Sequence, residues 1–199
     1  MLIDPELALD SDPYRSFATW YAAAESADPR PDAVALATAD AGGPPSLRIV
    51  LFRGVQGGGF RFFTNYVSRK GRQLATNPYA ALLFYWQPLG RQVRLEGRVE
   101  PLAPPESDAY FATRDRESQL SAWASRQSEP IASREVVMAK VEALRERFAG
   151  GDVPRPEFWG GYCLLPSQFE FWHHRDNRLH DRFRYTLGAE GWLVNRLSP

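Results

Sequence analysis

The stretch from Ser46 to Lys70, SLRIVLFRGVQGGGFRFFTNYVSRK, constrains this chain more than any other. Two apolar runs, Leu47 to Phe52 and Phe60 to Phe63, flank Gly57-Gly58-Gly59, the pattern of two strands joined by a Gly-rich hairpin turn. A helix start follows at once. Ser68 is suited to cap it, and Arg69, Lys70 and Arg72 fall in its first turn. Cations there oppose the helix macrodipole, an arrangement that an anion would relieve. Backbone N–H groups of a first helical turn plus fixed cations make a phosphate site, and Arg48 and Arg53 on the preceding strand are expected to reach the same place. A solvated basic helix start would show the same residues.

Length and charge narrow the possibilities. The 199 residues suit one domain with a full core, and β-barrels of this size fold as single units. Lys plus Arg equals Asp plus Glu at 24 each, so overall charge points to neither nucleic acid nor an anionic membrane. Cys163 is the only cysteine, which leaves no intrachain disulfide and no cysteine-based metal cluster; a reducing cytoplasm is expected. Neither a signal-like N-terminus nor an apolar run of membrane-spanning length is present, so neither export nor a membrane span is expected. The six Trp, eight Tyr and twelve Phe imply a rich core, an aromatic interface or a planar ligand.

Along the chain, residues 1–11 lack periodicity and read as a flexible arm ordered only by contact with something else. Residues 12–199 read as one domain. Asp12-Pro13 predicts a helix start, with Tyr14, Phe17, Tyr21 and Ala24 on one face. Strands are predicted at Ala33 to Ala39, at Tyr79 to Trp86, whose unbroken apolar run suggests burial on both faces, and at Gln92 to Val99. From Pro104 to about Gly150 the pattern is helical, with one piece around Ser107 to Thr113, another around Glu117 to Ser125 and a longer one after Ser133. Short aromatic strands return at Gly160 to Trp172, Asp181 to Thr186 and Trp192 to Arg196. The fold class is mainly β with packed helices (α+β), a barrel of six to eight short strands.

Two further constellations stand out. Tyr110, Arg114 and Ser118 are spaced i, i+4, i+8; if the helix is continuous there, they share one face, as either a phosphate clamp or an ordinary exposed polar face. Arg178-x-His180-x-Arg182, at strand spacing, places two guanidiniums and an imidazole beside Trp172, as either a face for a planar anionic ligand or a charged strand edge. A metal is not expected there. Adjacent His residues point apart on extended backbone. No P-loop, Rossmann, zincin or α/β-hydrolase pattern occurs.

Together these residues closely resemble the pyridoxamine 5'-phosphate oxidase family. The resemblance covers about Asp12 to Pro199 and rests on Arg-Ile-Val-Leu at 48–51, Phe-Thr-Asn at 63–65, Ser-Arg-Lys at 68–70, Arg-Gln-Val at 91–93, Tyr-Phe at 110–111, Arg-Gln-Ser at 126–128, Phe-Trp-Gly-Gly at 158–161 and Arg-Leu-His-Asp-Arg-Phe at 178–183. It implies an FMN-binding split β-barrel and a homodimer sharing each flavin at the subunit interface. The implied FMN site is Arg48, Ile49, Val50, Leu51, Phe52, Arg53, Phe63, Thr64, Arg69, Lys70, Gln92, Gln127, Ser128, Trp172 and Arg182. The implied substrate site is Arg53, Tyr110, Arg114 and Ser118 around a phosphate, with Arg178, Leu179 and His180 beside a pyridine ring. Arg178 and His180 would stand nearest the chemistry.

The implied reaction oxidises pyridoxamine or pyridoxine 5'-phosphate at C4' to the aldehyde, with dioxygen reoxidising the flavin to give hydrogen peroxide. Two departures from the family pattern occur: Arg53 replaces the usual Lys, and His173-His174-Arg175 replaces a more Gly-rich or acidic loop. A phenazine-pathway flavin oxidase and a non-catalytic flavin- or haem-binding split barrel are the rival readings. Retention of Tyr110, Arg114, Ser118 and Arg178-Leu179-His180 argues against the first, and phosphate-clamp residues would have no purpose in the second.

Overall fold

In the computed structural model, which describes residues 1–199, the chain opens with a two-strand ribbon, β1 (Leu2–Asp4) and β2 (Leu9–Asp10), followed by helix α1 (Pro13–Ala27). Strands β3 (Ala33–Ala39), β4 (Pro45–Gln56) and β5 (Gly59–Asn65) lead to α2 (Arg69–Thr76). Next come β6 (Tyr79–Trp86), β7 (Arg91–Pro101) and three helices, α3 (Pro104–Ala112), α4 (Arg116–Ala124) and α5 (Arg134–Arg147). β8 (Trp159–His173), β9 (Asp181–Gly188) and β10 (Gly191–Arg196) complete the chain.

The strands run in the order β10-β9-β8-β5-β4-β3-β6-β7, and β7 pairs again with β8. Six of them therefore close on themselves, and closure removes the exposed edges that an open sheet would carry. The expected split-barrel fold with packed helices is present. β8 is fifteen residues long because it pairs with β5 through its first part, with β7 along nearly its whole length, and with β9 at its far end. Alternation along the strands fills the interior with Val34, Leu36, Phe60, Phe62, Leu82, Phe84, Val93 and Leu95.

α1 caps this core. Asp12 accepts from the Tyr14 N–H as its N-cap, and Phe17 packs at 4.8 Å from the Phe60 ring and 5.0 Å from the Phe84 ring. The buried face also includes Trp20, beyond the residues expected from spacing.

The first eleven residues depart from the flexible arm expected. Leu7 and Leu9 are buried in the main core, Trp20 Nε1 donates to Leu7 O at 2.7 Å, and Tyr185 OH donates to Asp10 O at 2.7 Å. Too short to show periodicity, the segment is ordered by this chain's own barrel. β6 also differs from its expectation of burial on both faces: Leu82, Phe84 and Trp86 point inward, while Tyr79 and Tyr85 are exposed. Its outer face continues across the small residues of β3 to Leu47 and Ile49 of β4, which are 70% and 63% exposed. No helix is long and apolar enough to cross a membrane.

Candidate active site

A cavity of about 620 Å³ opens between β4, β5, the start of α2 and the α3–α4 corner. Its walls include Ile49, Val50, Leu51, Arg53, Phe63, Thr64, Lys70, Tyr110, Arg114, Ser118 and Gln127. Eleven of the residues expected at the site thus meet in one place, and the volume is that of a small-molecule pocket.

Lys70 is held where the helix begins. Ser68 caps α2 by accepting from Gly71 N, and a Cβ at Gly71 would lie 2.0 Å from Tyr66 O, so only glycine lets this turn close. Lys70 is only 6% exposed and donates to Gln127 Oε1 at 2.8 Å, Thr64 Oγ1 at 3.1 Å and Ser68 Oγ at 3.3 Å. None of these is a carboxylate. Burial, then repulsion from Arg48, pushes its ammonium down to about 8.

Arg48 is half-buried nearby, with NH1 donating to Thr38 Oγ1 at 2.6 Å and to Leu36 O at 3.0 Å. Burial and the charge of Arg69 hold its pKa below the ordinary arginine value. Arg69 itself is exposed beside them. A buried or half-buried cationic group with neutral partners only is the arrangement an anion completes.

Arg53 does not reach this cluster, contrary to expectation. Five residues from Arg48, it lies on the order of 16 Å along the strand. There Nε donates to Tyr110 OH at 2.7 Å and NH1 bonds Asp32 Oδ2 at 2.6 Å. Burial opposes its charge, but the bonds to Asp32 and Tyr110 outweigh that and raise its pKa. The Tyr110 ring stacks on Phe63 with centroids 3.8 Å apart.

Arg114 stands over the Trp159 ring at 4.8 Å, and its buried NH1 has no hydrogen-bond partner. Burial lowers its pKa. The continuous helix that a shared face would require is absent, and the two separate pieces expected here are present: α3 stops at Ala112, and Asp115 caps α4 by accepting from Ser118 N at 2.8 Å. The corner between the helices, rather than helical periodicity, brings the three residues to the cavity.

The remaining expected residues lie elsewhere in this chain. Phe52 is buried in the core behind the cavity wall. Ser128 sits in the loop after α4 with φ 73°. Gln92, Trp172 and Arg182 are register partners across β7, β8 and β9. Arg182 Nε donates to the buried Glu170 at 2.9 Å. Trp172 and the cavity residue Trp159 are thirteen positions apart on β8, up to about 40 Å along a strand.

Strand spacing does not hold for Arg178 and His180. Asp176–Arg178 form a 3-10 turn in which Asn177 and Arg178 adopt φ 56° and 63°, and β9 begins only at Asp181. Consecutive left-handed non-glycine residues are strained, a feature concentrated at functional sites. Leu179 and Arg178 are exposed, and the His180 ring packs 4.6 Å from Trp172 with Nδ1 accepting from Arg175 N at 3.1 Å.

Several neighbours carried no sequence signal of their own. Trp159 and Asn65 were visible only inside longer motifs. Asp32, Thr38, Ser46 and Gln73 act by holding Arg53 or Arg48 from other strands and helices, which no local pattern reveals.

Residues 22–148 match the family model described as pyridoxamine 5'-phosphate oxidase, and residues 159–199 match the pyridoxine 5'-phosphate oxidase C-terminal dimerisation region. A pyridoxine/pyridoxamine 5'-phosphate oxidase of Rippkaea orientalis is 51% identical over 193 residues, covering 96% of this chain and 91% of that protein. One from Bordetella petrii is 53% identical over 189 residues, covering 94% and 89%. Among solved structures, PhzG from Burkholderia lata, in complex with tetrahydrophenazine-1-carboxylic acid, superposes with a TM-score of 0.91 at 33% identity, covering 100% of this chain and 98% of that one. By sequence along nearly its whole length and by fold, this chain belongs to the pyridoxamine 5'-phosphate oxidase family, a family of oxidoreductases.

Proposed function

We propose that this chain is an FMN-dependent oxidase that converts pyridoxamine 5'-phosphate and pyridoxine 5'-phosphate to pyridoxal 5'-phosphate, with dioxygen as acceptor and hydrogen peroxide as product. One observation carries the reading: Lys70 and Arg114 are cations on one cavity, with Lys70 and the Arg114 NH1 buried and neither bonded to a carboxylate. Such groups call for anions, and a flavin phosphate and a substrate phosphate supply two.

The residues present fit FMN. Lys70, with Arg48, Arg69 and the first turn of α2, would hold its phosphate. The apolar side chains of Ile49 and Leu51, on one face of β4, offer a surface to a ring system, and Gln127 offers an amide to its polar edge. When bound, FMN supplies the two-electron acceptor and its reoxidation by dioxygen.

This chain's own contribution is positioning. Arg53, Tyr110, Arg114 and Ser118 grip the substrate phosphate, remote from the carbon that reacts, and binding energy there orients that carbon. The bond that His180 Nδ1 accepts from Arg175 N leaves Nε2 as the outward donor toward the substrate ring. Arg178 stands beside it.

The expected Gln92, Trp172, Arg178, His180 and Arg182 are not among the residues lining the cavity. A homodimer in which a partner supplies them accounts for both clusters, and the match of residues 159–199 to a dimerisation region supports it. The reading places the enzyme in the reducing cytoplasm, which the free thiol Cys163 suits.

The test is the absorption spectrum of the purified protein, followed by its change on anaerobic addition of pyridoxine 5'-phosphate. A flavin band that bleaches, with oxygen consumed on readmission of air, is expected. A colourless protein that takes up no FMN, or one that is bleached by a reduced phenazine acid and not by pyridoxine 5'-phosphate, overturns the reading.

A further inference from the structure

We propose that Asp32 is a positioning residue for the substrate phosphate: it locks the Arg53 guanidinium so that one terminal nitrogen is presented to the phosphate as a fixed donor. The inference rests on the reading above, in which Arg53 grips that phosphate.

Asp32 lies in the turn between α1 and β3, and the backbone at Pro31 and Asp32 is pinned to two strands, β6 and β4. Phe52 N donates to Asp32 O at 2.8 Å, and Trp86 Nε1 donates to Pro31 O at 3.2 Å. Its carboxylate is therefore carried by the barrel wall itself. From there Oδ2 accepts from Arg53 NH1 at 2.6 Å, with the two side chains 26% and 27% exposed.

Arg53 NH1 also donates to Phe52 O at 2.9 Å, and Nε donates to Tyr110 OH at 2.7 Å. Bonds at both nitrogens fix the plane and the rotation of the fork. NH2 donates to nothing within the chain, and Arg53 lines the cavity. It is the end left for a ligand. Because Tyr110 stacks on Phe63, the same bonds tie the α1–β3 bend, β4, α3 and β5 into one wall.

Charge alone argues for the opposite effect, since a carboxylate on Arg53 weakens its pull on an anion. Two facts limit that. Arg30 Nε stands 3.6 Å from Asp32 Oδ1 and offsets part of the carboxylate, and Arg114 keeps a second cation on the cavity. A guanidinium acts through the direction of its fork, whereas an ammonium acts as a point charge with no plane to orient. Orientation is what Asp32 supplies, and only an arginine needs it.

The experiment measures binding of pyridoxal 5'-phosphate and of unphosphorylated pyridoxal to the FMN-loaded protein by calorimetry, alongside steady-state kinetics with pyridoxine 5'-phosphate. Asp32→Ala should weaken pyridoxal 5'-phosphate about tenfold, a partial loss of one charge-assisted hydrogen bond. KM should rise with kcat nearly unchanged, and pyridoxal binding should stay the same. Asp32→Asn, which keeps an oxygen acceptor, should recover most of the loss. In an Arg53→Lys background, Asp32→Ala should add less than about twofold, because the pair acts as a unit.

Tighter phosphate binding in both Asp32 variants would make Asp32 a charge attenuator and overturn the proposal. Equal losses for the phosphorylated and unphosphorylated ligands would make it merely structural. A wild type that does not prefer the phosphorylated ligand overturns the functional reading and this inference together; a wild type with that preference and an unaffected Asp32→Ala variant overturns this inference alone.

Discussion

Lys70 Nζ donates to Gln127 Oε1 at 2.8 Å, joining the first turn of α2 to the loop after α4, 57 residues away, without a carboxylate between them. The bond ties a buried charge to a neutral acceptor. That leaves the charge uncompensated until a ligand arrives, and it sets the pH behaviour of the site.

The folded-state value of about 8 for Lys70 lies below its ordinary 10.5, so between those values the unfolded chain binds more protons than the folded one. Stability of the FMN-free protein should therefore rise as pH increases through that window. FMN affinity should fall over the same range, because the phosphate needs the protonated form. Lys70→Met should abolish both trends and weaken FMN retention more than it changes turnover at saturating FMN. Denaturant titrations and FMN fluorescence between pH 7 and about 10.5 check this.

Arg114→Ala removes the guanidinium that stands over Trp159. A charge-assisted hydrogen bond contributes about 1.5–3 kcal/mol, so kcat/KM for pyridoxine 5'-phosphate should fall by roughly one to two orders of magnitude. FMN content should stay constant. Unphosphorylated pyridoxine, already a poor substrate, should lose little further; equal losses for both would mean that Arg114 supports structure only. Oxygen uptake with each substrate distinguishes the outcomes.

Arg178 holds φ 63° in a turn that a glycine would adopt without strain. Arg178→Gly should thus raise stability by up to about 1 kcal/mol, a shift in Tm of about 2–4 °C, while turnover falls. Calorimetry and oxygen uptake on one preparation test the trade. A variant that is less stable would show that the arginine side chain, and not its backbone, dominates the turn.

Leu47 is 70% exposed on the apolar outer face shared by β4, β3 and β6. An apolar face of this kind marks an interaction surface, and in the homodimer reading a second copy covers it. Leu47→Glu should shift sedimentation toward the monomer and lower FMN content together. Dimers of undiminished stability would place the interface elsewhere.

Much of the local order was legible in the residues because its causes are local. Asp12-Pro13 and Ser68 mark helix starts through hydrogen bonds a few residues long, and the β4–β5 hairpin follows from two apolar runs around glycines. Resemblance to a known family then named most of the cavity wall, from Ile49 to Gln127, because those residue types recur at characteristic spacings.

Packing decided what no spacing could express. Residues 1–11 looked unstructured, yet Leu7 and Leu9 lie in the core, since the barrel offers them an apolar surface that the segment could not make alone. Tyr110, Arg114 and Ser118 share a cavity through the corner between two helices, although spacing alone would put them on one face only if the helix were continuous. Arg48 and Arg53, grouped together by sequence, serve different partners: Thr38 and Leu36 hold one, and Asp32 and Tyr110 hold the other. Strand pairing and helix docking bring those partners from as far as 57 residues away. The physical reason is that a side chain's reach and orientation are set by the groups it bonds, and those groups become neighbours only after the chain has closed its barrel.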